Sequence, residues 1–384
     1  MKTNYALVFG ALAALALPVS AKEDPKPGTD PRPDQNKVQI AILLDTSSSM
    51  DGLIDQAKSQ LWKVVNTFTA AKRDGETPFV EVALYEYGNS GLSVANQYIR
   101  LVEPLGRDLD ELSRELFALK TNGGEEYCGA VIQRSLSDLD WDKSKETYKV
   151  IFIAGNEPFT QGSVDARSAC KEAISKGVIV NTIHCGNREE GIRGSWHDGA
   201  ALAEGKYLVI DQDKAVAAIP APQDKEIAEL GIELNKTYIG YGGKREESKL
   251  KQTAADQDAA AKAPAGANVE RAISKSGKNY DNSSWDLVDA LREKKIDLEK
   301  LPVNELPEEM RSLKPEERAA YVEKAAKERA AIQKRIADLG TARDGFLKAE
   351  REKRAAAEGG KTLDEAMVET TREQASKVGY VFGN

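Results

Sequence analysis

The amino-acid sequence predicts an α/β fold, a mostly parallel sheet with helices on both faces, followed by an all-α C-terminal region. Three observations carry that prediction. Short apolar runs recur at Val38–Leu44, Val80–Tyr85, Val150–Ile153, Val178–Ile183 and Tyr207–Ile210, the texture of strands buried on both faces. Helical patterns separate these runs, and strands alternating with helices imply a parallel sheet. After about Tyr241 the strand-like runs stop, while helical patterning continues to the C-terminus.

Taken in order, the 384-residue chain opens with Lys2, an apolar run from Ala6 to Leu17, then Pro18 and the small-residue ending Val19-Ser20-Ala21. That is the order of a secretory signal peptide, with a run too short to span a bilayer. Residues 1–21 are expected to be cleaved after Ala21 and the mature chain to be exported, to a periplasm or to the extracellular space. Residues 22–37, rich in Pro, Asp and Lys without periodic apolar positions, read as a disordered leader.

Residues 38–242 read as the α/β domain. Its helical patterns lie at Leu53–Ala71, Leu109–Leu119, Tyr127–Leu136, Val164–Ile174 and Ala200–Ala203, and Ile227, Ala228, Leu230, Ile232 and Leu234 mark its last helix. Residues 251–268 are rich in Ala, Asp and Gln with a Pro and a Gly near the end and read as a linker or a marginal helix, the linker being set at residues 243–268. Residues 269–384 are helical in pattern. Pro307 and Pro315, each followed by two acids, are helix-start signals. Val322, Ala325, Ile332, Ile336 and Leu339 follow a 3-4 spacing broken by Arg329. Gly340 is expected to end that segment, with Phe346–Ala357 and Leu363–Val378 folding back as a coiled-coil-like hairpin or small bundle. Tyr280, Trp285, Leu287, Val288 and Leu291 are expected to form the core of this module.

Composition excludes several classes. The formal net charge is -8, from 54 Lys plus Arg against 62 Asp plus Glu, which argues against nucleic acid as a partner. Three cysteines and two histidines, far apart in sequence, exclude structural zinc sites built on paired short spacings. A mean hydropathy of -0.50 excludes a multi-span membrane protein, and no span is expected in the mature chain. From residue 213 onward basic and acidic side chains are nearly equal in number, so the acid excess belongs to the α/β half. In an oxidising compartment one disulfide pair is open among Cys128, Cys170 and Cys185, three unpaired buried thiols being the alternative.

The informative constellation is Asp45-Thr46-Ser47-Ser48-Ser49, where the first apolar strand runs into a loop ahead of a helix. In open α/β sheets ligands bind at that carboxyl edge. A carboxylate and two hydroxyls at alternating positions, Asp45, Ser47 and Ser49, suit one hard cation such as Mg2+, which takes oxygen ligands and keeps water. The strand-DTSSSM-helix beginning resembles the von Willebrand factor type A domain, whose metal-ion-dependent adhesion site, or MIDAS, opens with Asp-x-Ser-x-Ser. The resemblance covers roughly residues 38–240 and implies a Rossmann-like fold.

Members of that family add a Thr from a glycine-rich loop and an Asp after the fourth strand. Here Thr121-Asn122-Gly123-Gly124-Glu125-Glu126-Tyr127 is similar to the loop, with Glu125 at the place of the Thr. After Val150–Ile153 the family's Thr-Asp-Gly is replaced by Ala154-Gly155-Asn156, followed by Glu157. The resemblance implies Mg2+ or another divalent cation at Asp45, Ser47 and Ser49, with Glu125, Asn156 and Glu157 as substitute ligands. It further implies an exported, adhesion-type protein-binding module in which an acidic residue of a protein partner completes the coordination.

Two other readings stand beside it. One is a metal-free structural or assembly protein of the cell envelope that makes its contacts through the helical tail. The other is a hydrolase with Ser47 or Ser49 as nucleophile and His184, at the end of the strand Val178–Ile183, as base. No Gly-x-Ser-x-Gly elbow, phosphate-binding Gly-Lys-Ser loop or HExxH motif is present. A haloacid dehalogenase-type phosphatase would need a second Asp where Ser47 stands.

Overall fold

The strand that carries the DTSSS loop, β1 (Lys37–Asp45), is buried at every residue after its first, in keeping with a composition that is apolar from Ile40 to Leu44. It pairs in parallel with β3 (Phe79–Tyr87) on one side and β5 (Tyr148–Gly155) on the other. The parallel sheet continues through β6 (Ile179–Cys185) and β7 (Tyr207–Ile210), and β4 (Ile99–Gly106) closes the far edge antiparallel to β3, giving the order β4-β3-β1-β5-β6-β7. The sequence does not announce β4. Its side chains are largely exposed or half-buried and it contains Pro104, which belongs on an edge because proline cannot donate to a ladder. In this computed structural model residues 36–50, 63–68, 70–210, 219–261, 266–358 and 363–382 are described. The expected signal peptide, all but the end of the leader, and residues 53–62 of the first helical pattern lie outside the described residues.

Helices cover both faces. On one, α3 (Cys128–Asp138), α4 (Ala166–Ser175) and α6 (Trp196–Leu202) pack over Ala41, Leu43, Tyr85, Ile151 and Ile153. The other core joins Ile40, Ile42, Leu84 and Phe152 of the sheet to α1 (63–67), α2 (Leu109–Ala118) and α7 (Asp224–Asn235). The same core includes residues of α9 (Ala267–Ser276), α12 (Pro315–Glu358) and α13 (Leu363–Ser376). The helical C-terminal region thus supplies much of one face of the sheet. Residues 35–384 form one compact unit. Tyr280 and Trp285, expected in a core of the tail's own, pack with Tyr238 in this shared core, Trp285 stacking on it at 5.7 Å. A smaller cluster holds Ile239, Leu287, Leu306, Met310 and Val322.

Within the stretch read as a linker, α8 (Arg245–Ala261) is a regular helix that packs on α2. Gly340 does not stop the long helix, which runs on from Pro315 to Glu358. A Cβ at Gly340 would make only ordinary van der Waals contact with Ile273 of α9, at 3.7 Å, so no close approach demands glycine there, and its propensity cost of about 1 kcal/mol is too small to interrupt the helix. Rather than closing a coiled-coil hairpin on itself, α12 lies along α7 and α9.

Two buried ionic networks fasten these helices. Arg329, the polar interruption of the α12 spacing, bonds Asp286 and Asp289 at 2.6 and 3.0 Å, donates to the Thr237 carbonyl at 2.7 Å, and stacks over Tyr238 at 4.0 Å. Arg271 of α9 bridges Asp110 of α2 and Asp256 of α8, both at 2.6 Å, and Tyr280 donates to Asp110. At the amino end of the sheet, Gln374 of α13 accepts from Tyr148 and Asn181. Beyond it β8 (Val381–Phe382) pairs with β2 (Ala71–Lys72). The tail therefore ends beneath the edge opposite to the one that carries Asp45.

Candidate metal centre

Asp45 is the last residue of β1 and is fully buried. The Ser47 amide donates to its Oδ1 at 2.8 Å, while Oδ2 is buried with no hydrogen-bond partner. Burial pushes its carboxyl up to about 6, the charge of Glu157 adding to the effect and the bonds from Ser47 opposing it. The Ser47 and Ser49 hydroxyls lie 2.9 Å apart, and Ser49 donates to Asn156 Oδ1 at 3.1 Å. Ser47 is buried and Ser49 exposed, so the group opens to solvent at the serine loop.

The second carboxylate at this edge is Glu126, in the loop before α3. It is 6% exposed. Burial, then Asp45 and then Glu157, push its carboxyl up to about 7, with the Ser47 hydroxyl opposing. Two glycines make the close approach possible. A Cβ on Gly88, whose φ is +78°, would stand 2.7 Å from Asp45 Oδ1 and 2.9 Å from Glu126 Cγ. A Cβ on Gly155 would meet the Tyr87 hydroxyl at 2.6 Å and Asp45 Oδ2 at 3.2 Å.

Of the residues read from the sequence, Asp45, Ser47, Ser49 and Asn156 come together. Glu157 lies beside them, its carbonyl held by Trp196 Nε1 at 2.8 Å and its charge acting on both carboxylates. Glu125 does not join them. It is exposed and accepts from Gln161 at 3.2 Å. Glu126 is the residue that sequence reasoning missed. The available signal was the pair itself: in an extended segment adjacent side chains face opposite ways, so one of two consecutive acids turns inward.

His184 is buried at the end of β6 with neither ring nitrogen hydrogen-bonded, 5.8 Å from the Trp196 ring, and burial lowers its pKa. The serine–histidine bond that the hydrolase reading requires is not made. Cys128, Cys170 and Cys185 are all buried and unpaired. Burial pushes the Cys170 thiol up to about 12, the behaviour of an inert buried thiol rather than a reactive one.

Among the described residues no three His, Cys, Asp or Glu side chains group as a metal site. A cation at this edge would rest on a mixed set, two carboxylates with hydroxyl and amide oxygens. That set fits a hard divalent ion, because every donor is oxygen and one carboxylate oxygen is buried without a partner.

Residues 39–191 match the family described as the von Willebrand factor type A domain. A comparison with curated proteins finds no match. Among solved structures the chain is similar to the conserved hypothetical protein BatB from Bacteroides thetaiotaomicron, at 17% identity and a TM-score of 0.34, over 46% of this chain and 92% of that one. It is similar to the SpRpn10 VWA domain, at 16% identity and a TM-score of 0.36, over 49% and 90% of the two chains. It is also similar to proximal thread matrix protein 1 from the mussel byssus, solved with a zinc-occupied MIDAS motif, at 15% identity and a TM-score of 0.36. There the match covers 47% of this chain and 43% of that one, less than half of either.

Proposed function

Residues 39–191 are a von Willebrand factor type A domain, and from that premise we propose that the protein is an exported protein-binding module that holds a hard divalent cation, Mg2+ foremost, at the carboxyl end of β1. The observation that supports this most is the Asp45 Oδ2 atom, buried and unpartnered, on the residue that leads into the loop of the Ser47 and Ser49 hydroxyls. An unpaired buried carboxylate oxygen costs free energy, and a cation bound there would satisfy it. Asp45, Ser47 and Ser49 would hold the ion, with Asn156 orienting Ser49. When bound, the ion supplies a fixed positive centre at a loop edge open to solvent. Its remaining ligand comes either from an acidic side chain of a protein partner, as the family resemblance implies, or from this chain.

The N-terminal sequence supports export. No helix among the described residues is long and apolar enough to cross a membrane. Calorimetric titration and thermal melts of the full chain with Mg2+, Mn2+ and Ca2+ against EDTA test the cation. Stabilisation should be saturable in the wild type and lost in Asp45→Ala. Identical melts with cation and with EDTA would overturn the reading in favour of a metal-free envelope protein.

A further inference from the structure

We infer that Glu126 is this chain's own second anionic ligand for the cation at Asp45, so that the ion's charge is met within the chain and needs no carboxylate from a partner. The inference rests on the cation-binding reading above and assigns the ion's remaining ligand. Its first support is burial. Glu126 is 6% exposed and Asp45 fully buried, and neither forms an ion pair with Lys or Arg among the described residues. Glutamates this deep are seldom left without a positive partner. The neighbouring Glu125, exposed and bonded to Gln161, shows what an acid in this loop does when nothing draws it inward.

The second support is convergence. Asp45 Oδ1 and Glu126 Cγ both close on the one space that a Gly88 side chain would fill, at 2.7 and 2.9 Å from its Cβ. The third is the free Asp45 Oδ2, which is independent of Glu126 and itself calls for a positive ligand. Two carboxylates in one buried site repel each other, and a divalent ion between them cancels both charges. The ion and its two carboxylates then carry no net charge, and with the negative charge of Glu157 beside them nothing attracts an outside anion, so a partner docking over the serine loop meets the ion through neutral oxygens.

The test uses Mn2+ as probe with the full-length chain, by calorimetry and by water-proton relaxation, which reads the water left on the bound ion. Glu126→Gln should weaken Mn2+ binding by about tenfold or more, whereas Glu125→Gln, an equal loss of exposed charge, should stay within about twofold. Millimolar acetate should leave the wild-type complex unchanged and displace water from Mn2+ bound to Glu126→Gln. A melt in EDTA shows that the variant folds, and it should melt no lower than wild type because a repelling charge has gone. Mn2+ binding that Glu126→Gln does not weaken, or acetate that binds the wild-type complex as well as the variant, would overturn the role of Glu126 alone. A wild type that binds no Mn2+ would overturn the cation reading, and this inference with it.

Discussion

Along the seam between the sheet and the C-terminal helices, buried charges are answered by opposite charges; at the carboxyl end of β1 and β6 buried polar groups stand without partners. Arg329 meets two aspartates, a backbone carbonyl and an aromatic face, and Arg271 meets Asp110 and Asp256. Asp45 and His184 are buried just as fully, yet keep polar atoms without partners. The difference separates two uses of burial. Satisfied ionic networks hold helices in one register, although apolar replacements of the same shape would often be as stable. Unsatisfied groups cost stability and persist where something outside the resting chain completes them.

The largest expected effect lies on the satisfied side. Arg329→Ala leaves Asp286 and Asp289 buried without their cation and should lower unfolding stability by about 3–5 kcal/mol in urea titrations; a loss under 1 kcal/mol would erase the contrast.

A pH titration sharpens the other side. In EDTA, the raised pKa of Asp45, from 3.8 to about 6, means that folding favours its protonated form. Stability should therefore be held below about pH 4 and decline as pH rises through 6, by on the order of 3 kcal/mol. Asp45→Asn should remove that share of the decline and leave the share of Glu126, whose carboxyl burial pushes up to about 7; an unchanged slope would refute the assignment.

Next comes the ligand itself. A cation at a hundred times its dissociation constant should raise wild-type stability by about 2.7 kcal/mol, seen as a melting shift that Asp45→Ala abolishes. The smallest effect is at the amino end, where Gln374→Ala leaves Tyr148 and Asn181 without their partner and should cost about 2 kcal/mol with cation affinity unchanged. A loss of affinity there would show that the two ends of the sheet are coupled.

The central strands were legible because strands buried on both faces are mostly apolar, as β1, β5 and β6 are in spite of Gln39, Lys149, Asn181 and Thr182. The edge strand β4 was not, because an exposed edge carries no such requirement. Asp45, Ser47 and Ser49 were legible because a five-residue stretch holds all three. Glu125 was chosen over Glu126 because the choice depends on which way a loop turns. The tail's helices were visible as a 3-4 spacing, but a periodic apolar face does not say what it covers. Tyr280 and Trp285 accordingly turned up beside Tyr238 in the core of the sheet, and removing residues 245–384 would uncover that core.

By itself, then, the sequence determined the α/β class, the helical character of the C-terminal region and the first three oxygens of the site, since each depends on composition and periodicity over a few neighbouring residues. Tertiary structure decided that Glu126 meets Asp45, that Gly88 and Gly155 make room for them, and that α9, α12 and α13 complete one face of the sheet. Those are contacts between residues tens to hundreds of positions apart. They depend on how strands register and loops turn, which the local pattern of a chain does not encode.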